Sequence, residues 1–348
     1  MVTINPTILQ GFAKDLMQAA GGLESEAIII ARHLVAANLA GHDSHGVINI
    51  SMYIDYMRKG HMIPGAQFEI LEETATTTVI DGHWGYGFST SERAMEISIE
   101  KARHNRVAAA TIRKQGHIGR VADYPLMAAK AGFIGLMTAD SGRAAKSVAP
   151  FGGRVPRLGT NPICIAMPSN LAGPFFLDIS TAAAAGGKLS VAAARGDEVP
   201  EGWVIDDKGE PSRSPLAVKN GGALLPLGGT EGHKGYGLAA MVEIFSGILT
   251  GLGFGVEPSG RHNDGVFMAV FDVSAFRPLD AFKAEVTEFA RYLQSTPTAE
   301  GTKQVYYPGE IEYLRSTENR SKGIEIPEKT YEELCKLAEQ LSVTIPLS

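Results

Sequence analysis

Helical spacing of apolar residues marks both ends of the chain. After Asn5, apolar side chains recur every three or four positions, and a second such stripe ends at Gly41. A third predicted helix runs from Ser44 to about Arg58, and the pattern is helical again from Leu279 onwards. We expect these two helical ends to pack together.

The middle of the chain, from about residue 68, alternates short apolar runs with helical segments. A Ser89-x-x-Glu92 capping box predicts the start of one helix. The predicted strands cover residues 76–80, 108–112, 134–138, 163–166, 175–177 and 266–271. This alternation of predicted strands and helices is typical of an α/β fold.

Composition and charge exclude several classes of protein. Hydrophobic residues make up 44% of the chain and charged residues 20%, which is typical of a globular protein with a sizeable core. The net charge of -6 argues against a nucleic-acid partner, which would require a basic face. A small anionic substrate stays possible, because a basic pocket can lie within an acidic protein.

Cysteine use and hydropathy indicate the compartment. Cys164 and Cys335 lie far apart with no CxxC pattern, which favours a reducing cytoplasm over a disulfide scaffold. The amino terminus lacks the pattern of a signal peptide. The most apolar stretch, residues 235–255, is interrupted by Glu243 and several glycines, so we expect a buried helix there and no membrane span.

The densest polar cluster is the segment GHDSHG at residues 41–46. Reduction of a carbonyl by hydride leaves an alkoxide that needs a proton, and a histidinium such as that of His45 is suited to supply it. Two alternatives stay open at this point. Asp43 and Ser44 could simply cap the next helix beside solvated histidines, or His42, Asp43 and His45 could bind a metal ion for a lyase or hydrolase reaction.

Three further segments have candidate chemistry. His117 follows a predicted strand, where α/β proteins place ligands, although a plain turn histidine is the alternative. Asp178 ends another strand and either orients a histidine or caps a helix. The glycine-rich residues 228–237 include His233 and Lys234 and lead into an apolar helix, which favours an anion site over a flexible loop.

No GxGxxG follows a predicted strand. The nearest match, Gly85-Tyr86-Gly87, lacks the third glycine and the acidic residue downstream. A dinucleotide bound here would therefore not lie on an ordinary Rossmann turn.

Taken together, the motifs resemble those of the malate/L-lactate dehydrogenase family that lacks a Rossmann fold. This family includes ureidoglycolate dehydrogenase, diketogulonate reductase, sulfolactate dehydrogenase and piperideine-carboxylate reductase. The resemblance spans nearly the whole chain. It is carried by GHDSHGV (41–47), DGHWGYG (81–87), GHIG (116–119), APFGG (149–153), LGTNPI (158–163), LDISTAAAAGGK (177–188), PEGWVIDDKGEP (200–211), LPLGG (225–229), HKGYGL (233–238) and YYPGE (306–310).

The resemblance implies a mostly antiparallel central sheet flanked by helices, NAD or NADP as cofactor, and a homodimer. It implies hydride transfer between NAD(P)H and a small 2-oxo acid/2-hydroxy acid pair, or reduction of a cyclic imino acid on the same scaffold. The pattern along the chain divides it into three expected parts: residues 1–75, helical and carrying the SHG motif; residues 76–278, an α/β cofactor-binding domain; and residues 279–348, helical and packing with the first part.

The resemblance also assigns residues to roles. His45 is expected to be the proton donor, Ser44 and Asp178 to act as a relay with it, and His117 to line the pocket or act as acid and base. The residues expected to contact the cofactor are His117, Gly119, Thr160, Asn161, Pro162, Asp178, Ser180, His233, Lys234, Gly235, Pro308, Gly309 and Glu310.

The sequence departs from the family pattern where many relatives have a substrate-binding arginine. Asn49 and Met52 occupy the two positions at which that arginine usually stands. A bidentate arginine–carboxylate pair is hard to replace. The candidate substrate residues are therefore Asn49 at this position and Arg120 or Arg143 as the replacing cation; the alternative is a substrate without a plain carboxylate there. Asp140 replaces a common asparagine, and its negative charge favours NAD over NADP.

Overall fold

A seven-stranded sheet crosses the middle of the molecule. The structure is a computed structural model that describes residues 1–140, 143, 145–257, 261 and 263–346. The strands of the sheet are β2 (Glu69–Glu73), β3 (Thr77–Gly85), β4 (Val107–Gln115), β5 (Phe133–Asp140), β6 (Ile163–Met167), β7 (Phe175–Ile179) and β11 (Gly265–Asp272). They lie in the order β2-β3-β4-β11-β5-β6-β7, and every neighbouring pair is antiparallel except β3 and β4.

Helices cover this sheet and form both ends of the chain. The helices are α1 (Pro6–Ala19), α2 (Glu24–Leu39), α3 (Ile50–Arg58), α4 (Gly87–Asn105), α5 (Asp123–Lys130), α6 (Gly186–Arg195), α7 (Gly232–Glu243), α8 (Leu279–Gln294), α9 (Glu310–Lys322) and α10 (Glu328–Leu341). Within the described ranges, none of them is long and apolar enough to cross a membrane. The predicted mostly antiparallel sheet flanked by helices is confirmed.

The two ends of the chain meet in a small sheet and a shared core. Strand β1 (Val2–Ile4) pairs antiparallel with β12 (Ile324–Ile326). Apolar side chains from both ends bury one cluster, in which Leu9 of α1, Leu34 of α2 and Leu334 of α10 are almost inaccessible to solvent. The division of the chain into three parts stays a prediction.

A third sheet lies in the region between β7 and α7. It consists of β8 (Val204–Ile205), β9 (Pro211–Ser212) and β10 (Ala223–Leu224) in the order β10-β8-β9. An isolated antiparallel bridge between Ala182 and Pro226 connects the segment after β7 to the segment before α7. This connection brings two of the sequence motifs together.

The helix predicted from Ser44 to about Arg58 is wrong at its start. Two single 3₁₀ turns occupy the first positions, and the α-helix begins at Ile50. The reason is the side chain of Asn38, which accepts a hydrogen bond from the Val47 N–H at 2.9 Å and donates to Asp43 at 2.7 Å. These bonds hold residues 43–47 as a tight loop against α2.

The predicted capping box is also wrong. Helix α4 already begins at Gly87, and the Ser89 hydroxyl donates to the Tyr86 carbonyl instead of capping. Glu92 turns to another helix, where it pairs with Arg32 and His33. The carboxylate is therefore used between helices and not at a helix terminus.

The prediction of a buried helix at residues 235–255 is wrong as well. Helix α7 continues into a π-helical turn, Ile244–Ile248, and one face of this segment is exposed. Met241 is 50% exposed, Leu249 55% and Phe254 72%. These apolar side chains are therefore exposed on the single chain.

Candidate active site

Two histidines from distant parts of the chain stack on each other. The rings of His45 and His117 lie 5.9 Å apart between centroids, with only 16° between their planes. His45 ends the 3₁₀ turn that Asn38 stabilises, and His117 follows β4. The sequence predicted both side chains as candidates, and the fold brings them together.

Glycines hold the His117 loop close to the start of α4. Strands β3 and β4 run in parallel, so both end at the same edge of the sheet, where the Gly116 N–H donates to the Gly85 carbonyl at 2.8 Å. A Cβ atom at Gly87 would lie 2.1 Å from the Gly116 carbonyl oxygen. The DGHWGYG motif therefore provides the close backbone approach that positions His117.

Each histidine has a hydroxyl partner. The Ser44 Oγ lies 3.1 Å from His45 Nδ1, and the Tyr53 hydroxyl lies 2.8 Å from His117 Nδ1. The Gly119 N–H also donates to His117 Nδ1, at 3.3 Å. Because a backbone N–H can only donate, Nδ1 is an acceptor, and the proton of the neutral His117 ring lies on Nε2.

The electrostatic surroundings of His45 favour its neutral form. Burial, together with the electrostatic influence of His117, His42 and Arg120, lowers the pKa of His45 to about 4, although Asp264 opposes this shift. Asp264 is itself buried and accepts a hydrogen bond from the Ile118 N–H at 2.9 Å. At neutral pH, His45 is therefore a base in the absence of a bound anion.

Asp178 and Arg120 form the other side of the cluster. Asp178 accepts a hydrogen bond from the Ala122 N–H at 3.2 Å, and none of its described hydrogen bonds involves Ser44 or His45. Burial raises the pKa of Asp178 to about 6, against the opposite influence of Arg120 and His42. The geometry thus places the predicted relay residues in one region without a direct hydrogen bond from Asp178 to the other two.

A second group of predicted residues packs beside Asp178. The Thr160 carbonyl accepts hydrogen bonds from the Ser180 hydroxyl at 3.1 Å and the Thr181 N–H at 2.9 Å.

The next residue, Asn161, is buried, and its Nδ2 donates to Ala239 and Glu243 of α7. Its buried Oδ1 has no partner among the residues that the structure describes, which leaves one acceptor for a ligand. Pro162 lies between this loop and β6.

The glycine-rich segment ends in the first turn of α7. His233 and Lys234 are exposed there, and Lys234 pairs with Glu231 at 2.9 Å. Gly235 has no space for a side chain, because a Cβ would lie 2.1 Å from the Leu227 carbonyl oxygen. The N–H groups and the dipole of this helix terminus suit an anionic group.

The YYPGE turn joins the edge of the sheet at β7. The Pro308 carbonyl accepts a hydrogen bond from Phe176 at 3.1 Å, and Gly309 lies against the ring of Phe176 with a φ of 94°. Both carboxylate oxygens of Glu310 accept from Gln294 at 2.9 Å. Glu310 Oε2 also accepts a hydrogen bond from the Tyr307 N–H at 3.1 Å, so Glu310 stabilises its own turn.

The three candidate substrate residues occupy different places. Asn49 donates to the Ser44 carbonyl at 2.9 Å and the Gly46 carbonyl at 3.2 Å, so it braces the turn that presents His45. Arg120 acts electrostatically on His45. Arg143 pairs with Glu257 at 3.0 Å, and none of its described contacts reaches the two histidines.

A metal centre at the histidine cluster finds little support in the geometry. In the ranges the structure describes, no three His, Cys, Asp or Glu side chains converge as metal ligands. His42 lies 3.7 Å from Glu312, while Asp43 accepts from Asn38. The three side chains proposed for a metal thus have different partners.

The whole-chain comparison assigns a family. The sequence matches the family model described as malate/L-lactate dehydrogenase over residues 4–335. The chain belongs to the malate/L-lactate dehydrogenase family. The family resemblance inferred from the motifs is therefore confirmed.

Individual members of the malate/L-lactate dehydrogenase family match nearly the full length. A malate dehydrogenase of Pyrococcus abyssi is 36% identical, with 96% of this chain and 94% of the relative covered. The crystal structure of a malate dehydrogenase from Entamoeba histolytica superposes with a TM-score of 0.94 at 32% identity, covering 99% of both chains. The structure of a delta1-piperideine-2-carboxylate reductase from Pseudomonas syringae pvar. tomato has a TM-score of 0.85 at 28% identity, covering 97% of this chain and all of that chain.

The sequence patterns did not predict two residues of the site, Tyr53 and Asp264. Tyr53 lies one helical turn beyond Asn49 on α3, so helical spacing from the SHG motif could have indicated it. Asp264 precedes β11, far along the chain from both histidines, and only the sheet order brings it to the same edge. No sequence pattern marked Asp264.

Proposed function

We propose that the protein transfers a hydride between NAD(P)H and a small 2-oxo acid/2-hydroxy acid pair. The observation that carries the proposal is the stacked pair of His45 and His117 beside the buried Arg120, in a chain of the malate/L-lactate dehydrogenase family. An imidazole and a guanidinium at one site are suited to handle the carbonyl proton and the carboxylate of one small acid.

The residues around α7 fit a nicotinamide dinucleotide. The buried Asn161 Oδ1 offers an unused acceptor, and the first turn of α7 offers N–H groups beside Lys234 to a pyrophosphate. When bound, the nicotinamide supplies or accepts the hydride. Asp140, buried at the end of β5, supports NAD over NADP, because a carboxylate repels an additional phosphate.

His45 is proposed to hold the proton that the reaction needs. Since burial and the electrostatic influence of neighbouring groups lower the pKa of His45, the ring is ready to accept a proton from a 2-hydroxy acid. A bound substrate carboxylate adds a negative charge, which raises the pKa of His45 and lets it donate in the reductive direction. Ser44 orients the ring through Nδ1, and Asp178 supports it through the local field.

A cyclic imino acid is the second candidate substrate. A protonated imine already has its positive charge, so its reduction depends less on an acid at the site. The depressed pKa of His45 favours this candidate, and one structural relative is a piperideine-2-carboxylate reductase. The two candidates share the carboxylate that Arg120 is proposed to bind.

We also propose a homodimer in a reducing cytoplasm. The exposed apolar face of residues 241–256, named here the α7 face, includes Ile248 at 50% exposure and Phe254 at 72%. A surface of this kind on a single chain marks an interaction site, and the family resemblance supports a second copy as the occupant. Both cysteines, Cys164 and Cys335, are free thiols, which supports the compartment.

The proposed reaction is tested by following the absorbance of NADH or NADPH with a panel of 2-oxo acids and cyclic imines. Oxidation that depends on one substrate supports the proposal and distinguishes its two forms. A protein that oxidises neither cofactor with any member of the panel would overturn it. Elemental analysis of the protein and a chelator test accompany these assays, and a bound metal ion together with chelator-sensitive activity would instead support the metal-dependent alternative.

A further inference from the structure

A buried histidine outside the proposed reaction centre bridges two carboxylates. His33 of α2 is only 7% exposed, and its Nε2 lies 2.9 Å from Glu92 Oε2 while its Nδ1 lies 3.0 Å from Asp123 Oδ2. The rings of Phe88 and Tyr124 pack against it, with centroids at 5.5 Å and 5.4 Å. The histidine thus joins three helices, α2, α4 and α5.

The second oxygen of Asp123 connects this bridge to the site. Asp123 Oδ1 accepts hydrogen bonds from Nε of Arg120, at 2.9 Å, and from Nη2 of Arg120. Asp123 therefore uses one oxygen for His33 and the other for Arg120. The described hydrogen bonds from the Arg120 guanidinium to Asp123 use Nε and Nη2 and do not involve Nη1.

The hydrogen bonds from His33 to Glu92 and Asp123 are strongest when the His33 ring is protonated. An imidazolium donates from both ring nitrogens, whereas a neutral ring donates from one and presents a lone pair to the other carboxylate. Burial alone lowers the pKa of His33, but the hydrogen bonds to Asp123 and Glu92 outweigh it and raise the pKa above its usual value. The charged groups facing this bridge are Arg32 from α2, Glu92 from α4, Asp123 from α5, and Arg120.

We propose that His33 is a positioning residue for the substrate: by fixing Asp123, it holds the guanidinium of Arg120 in the orientation that binds the substrate carboxylate. This inference rests on the proposed function. None of the described contacts of His33 involves His45 or His117. Its effect is therefore mainly on the binding of the acid, with a smaller effect on the proton transfer through the influence of Arg120 on His45.

The matched test compares His33→Gln with His104→Gln in the same assay. His104 also lies 2.8 Å from a carboxylate, that of Glu100 on α4, but it is 70% exposed and has no described contact to Arg120. We expect His33→Gln to raise the KM for the acid by about 10-fold, with kcat changed less than about threefold and the affinity for reduced cofactor unchanged. His104→Gln should match the wild-type protein in all three constants.

The pH dependence of the KM distinguishes a positioning role of His33 from a purely structural one, because a purely structural role would not change it. In the wild-type protein the KM for the acid should be low below the raised pKa of His33 and should increase as the pH passes above it. Glu92→Gln removes one of the groups that raise this pKa, so the increase should begin at lower pH. Glu92→Gln leaves His33 in place, and it therefore tests the inference even if His33→Gln fails to fold.

The outcomes separate the two proposals. Suppose that the wild-type protein turns over a substrate. The positioning role alone is then overturned if His33→Gln and His104→Gln have the wild-type KM, or if Glu92→Gln leaves the pH profile of the KM unchanged. A wild-type protein without activity on any 2-oxo acid or cyclic imine overturns the proposed function and the positioning role together.

Discussion

At the scale of single residues, the protonation of two groups is set by the fold. His45 has a pKa of about 4 because it is buried beside His117, His42 and Arg120, whereas Asp178 has a pKa of about 6 because it is buried. A depressed base and a raised acid in one region are a common arrangement for proton transfer. The raised pKa of Asp178 also lowers the free energy of unfolding at high pH, which can be measured.

His45→Ala should lower kcat by at least about 100-fold, because the proton acceptor is lost. The affinity for NADH, measured by fluorescence titration, should stay within about threefold of the wild-type value. His117→Ala serves as the companion variant, because its ring stacks on the same site. If His45→Ala kept its turnover and His117→Ala lost it, the acid–base role would belong to His117.

Asp178→Asn should stabilise the protein at high pH while it lowers activity. The folded-state pKa of Asp178 is raised, so ionisation costs stability as the pH rises from the unfolded value of 3.8 through about 6. The shift corresponds to at most about 3 kcal/mol. The gain in free energy of unfolding from Asp178→Asn should therefore be larger at pH 8 than at pH 4, as measured by urea denaturation. An equal effect at both pH values would contradict the assigned shift.

At the scale of elements, close backbone contacts decide where the loops lie. Gly87 lets the start of α4 touch the GHIG loop, and Gly235 lets α7 touch residue Leu227. The side chain of Asn38 replaces a turn of helix by a loop that presents His45. These contacts connect elements far apart in sequence, and each requires a small or polar residue at one position.

Two glycines of α7 provide a matched pair for this argument. Gly235→Ala would place a methyl group 2.1 Å from the Leu227 carbonyl oxygen, so it should lower the free energy of unfolding by about 1–3 kcal/mol. Gly237 has open space within 4 Å, and Gly237→Ala should raise the free energy of unfolding by about 0.5–1 kcal/mol. Urea denaturation measures both, and a stable Gly235→Ala would show that the Leu227 segment moves freely.

At the scale of the whole molecule, the single chain leaves several large apolar side chains of residues 241–256 exposed. The α7 face continues the helix whose first turn is the proposed anion site. Association through this face would therefore lie close to the cofactor segment. The chain ends, by contrast, are already joined through β1, β12 and their common core.

Ile248→Asp should convert the proposed homodimer into a monomer, because it places a charge in the apolar α7 face. Ile8→Asp on α1 is the control, since Ile8 is 46% exposed and Ile248 is 50% exposed. Sedimentation velocity should show a dimer for the wild-type protein and for Ile8→Asp. A wild-type monomer, or a dimeric Ile248→Asp, would exclude this face as the interface.

The sequence alone determined the helices at the chain ends apart from the start of α3, the family, the two histidines and every strand of the seven-stranded central sheet except β2, because periodicity and contiguous motifs are local properties. It also indicated Arg120 as a substitute for the arginine missing at Asn49. The tertiary structure decided the stacking of His45 on His117, the entry of Tyr53 and Asp264 into the site, and the bridge from His33 to Arg120. The tertiary structure also corrected the start of α3, the capping box and the burial of the α7 face. The physical reason is that burial, hydrogen-bond partners and pKa shifts depend on which distant segments meet, and no local pattern encodes those meetings.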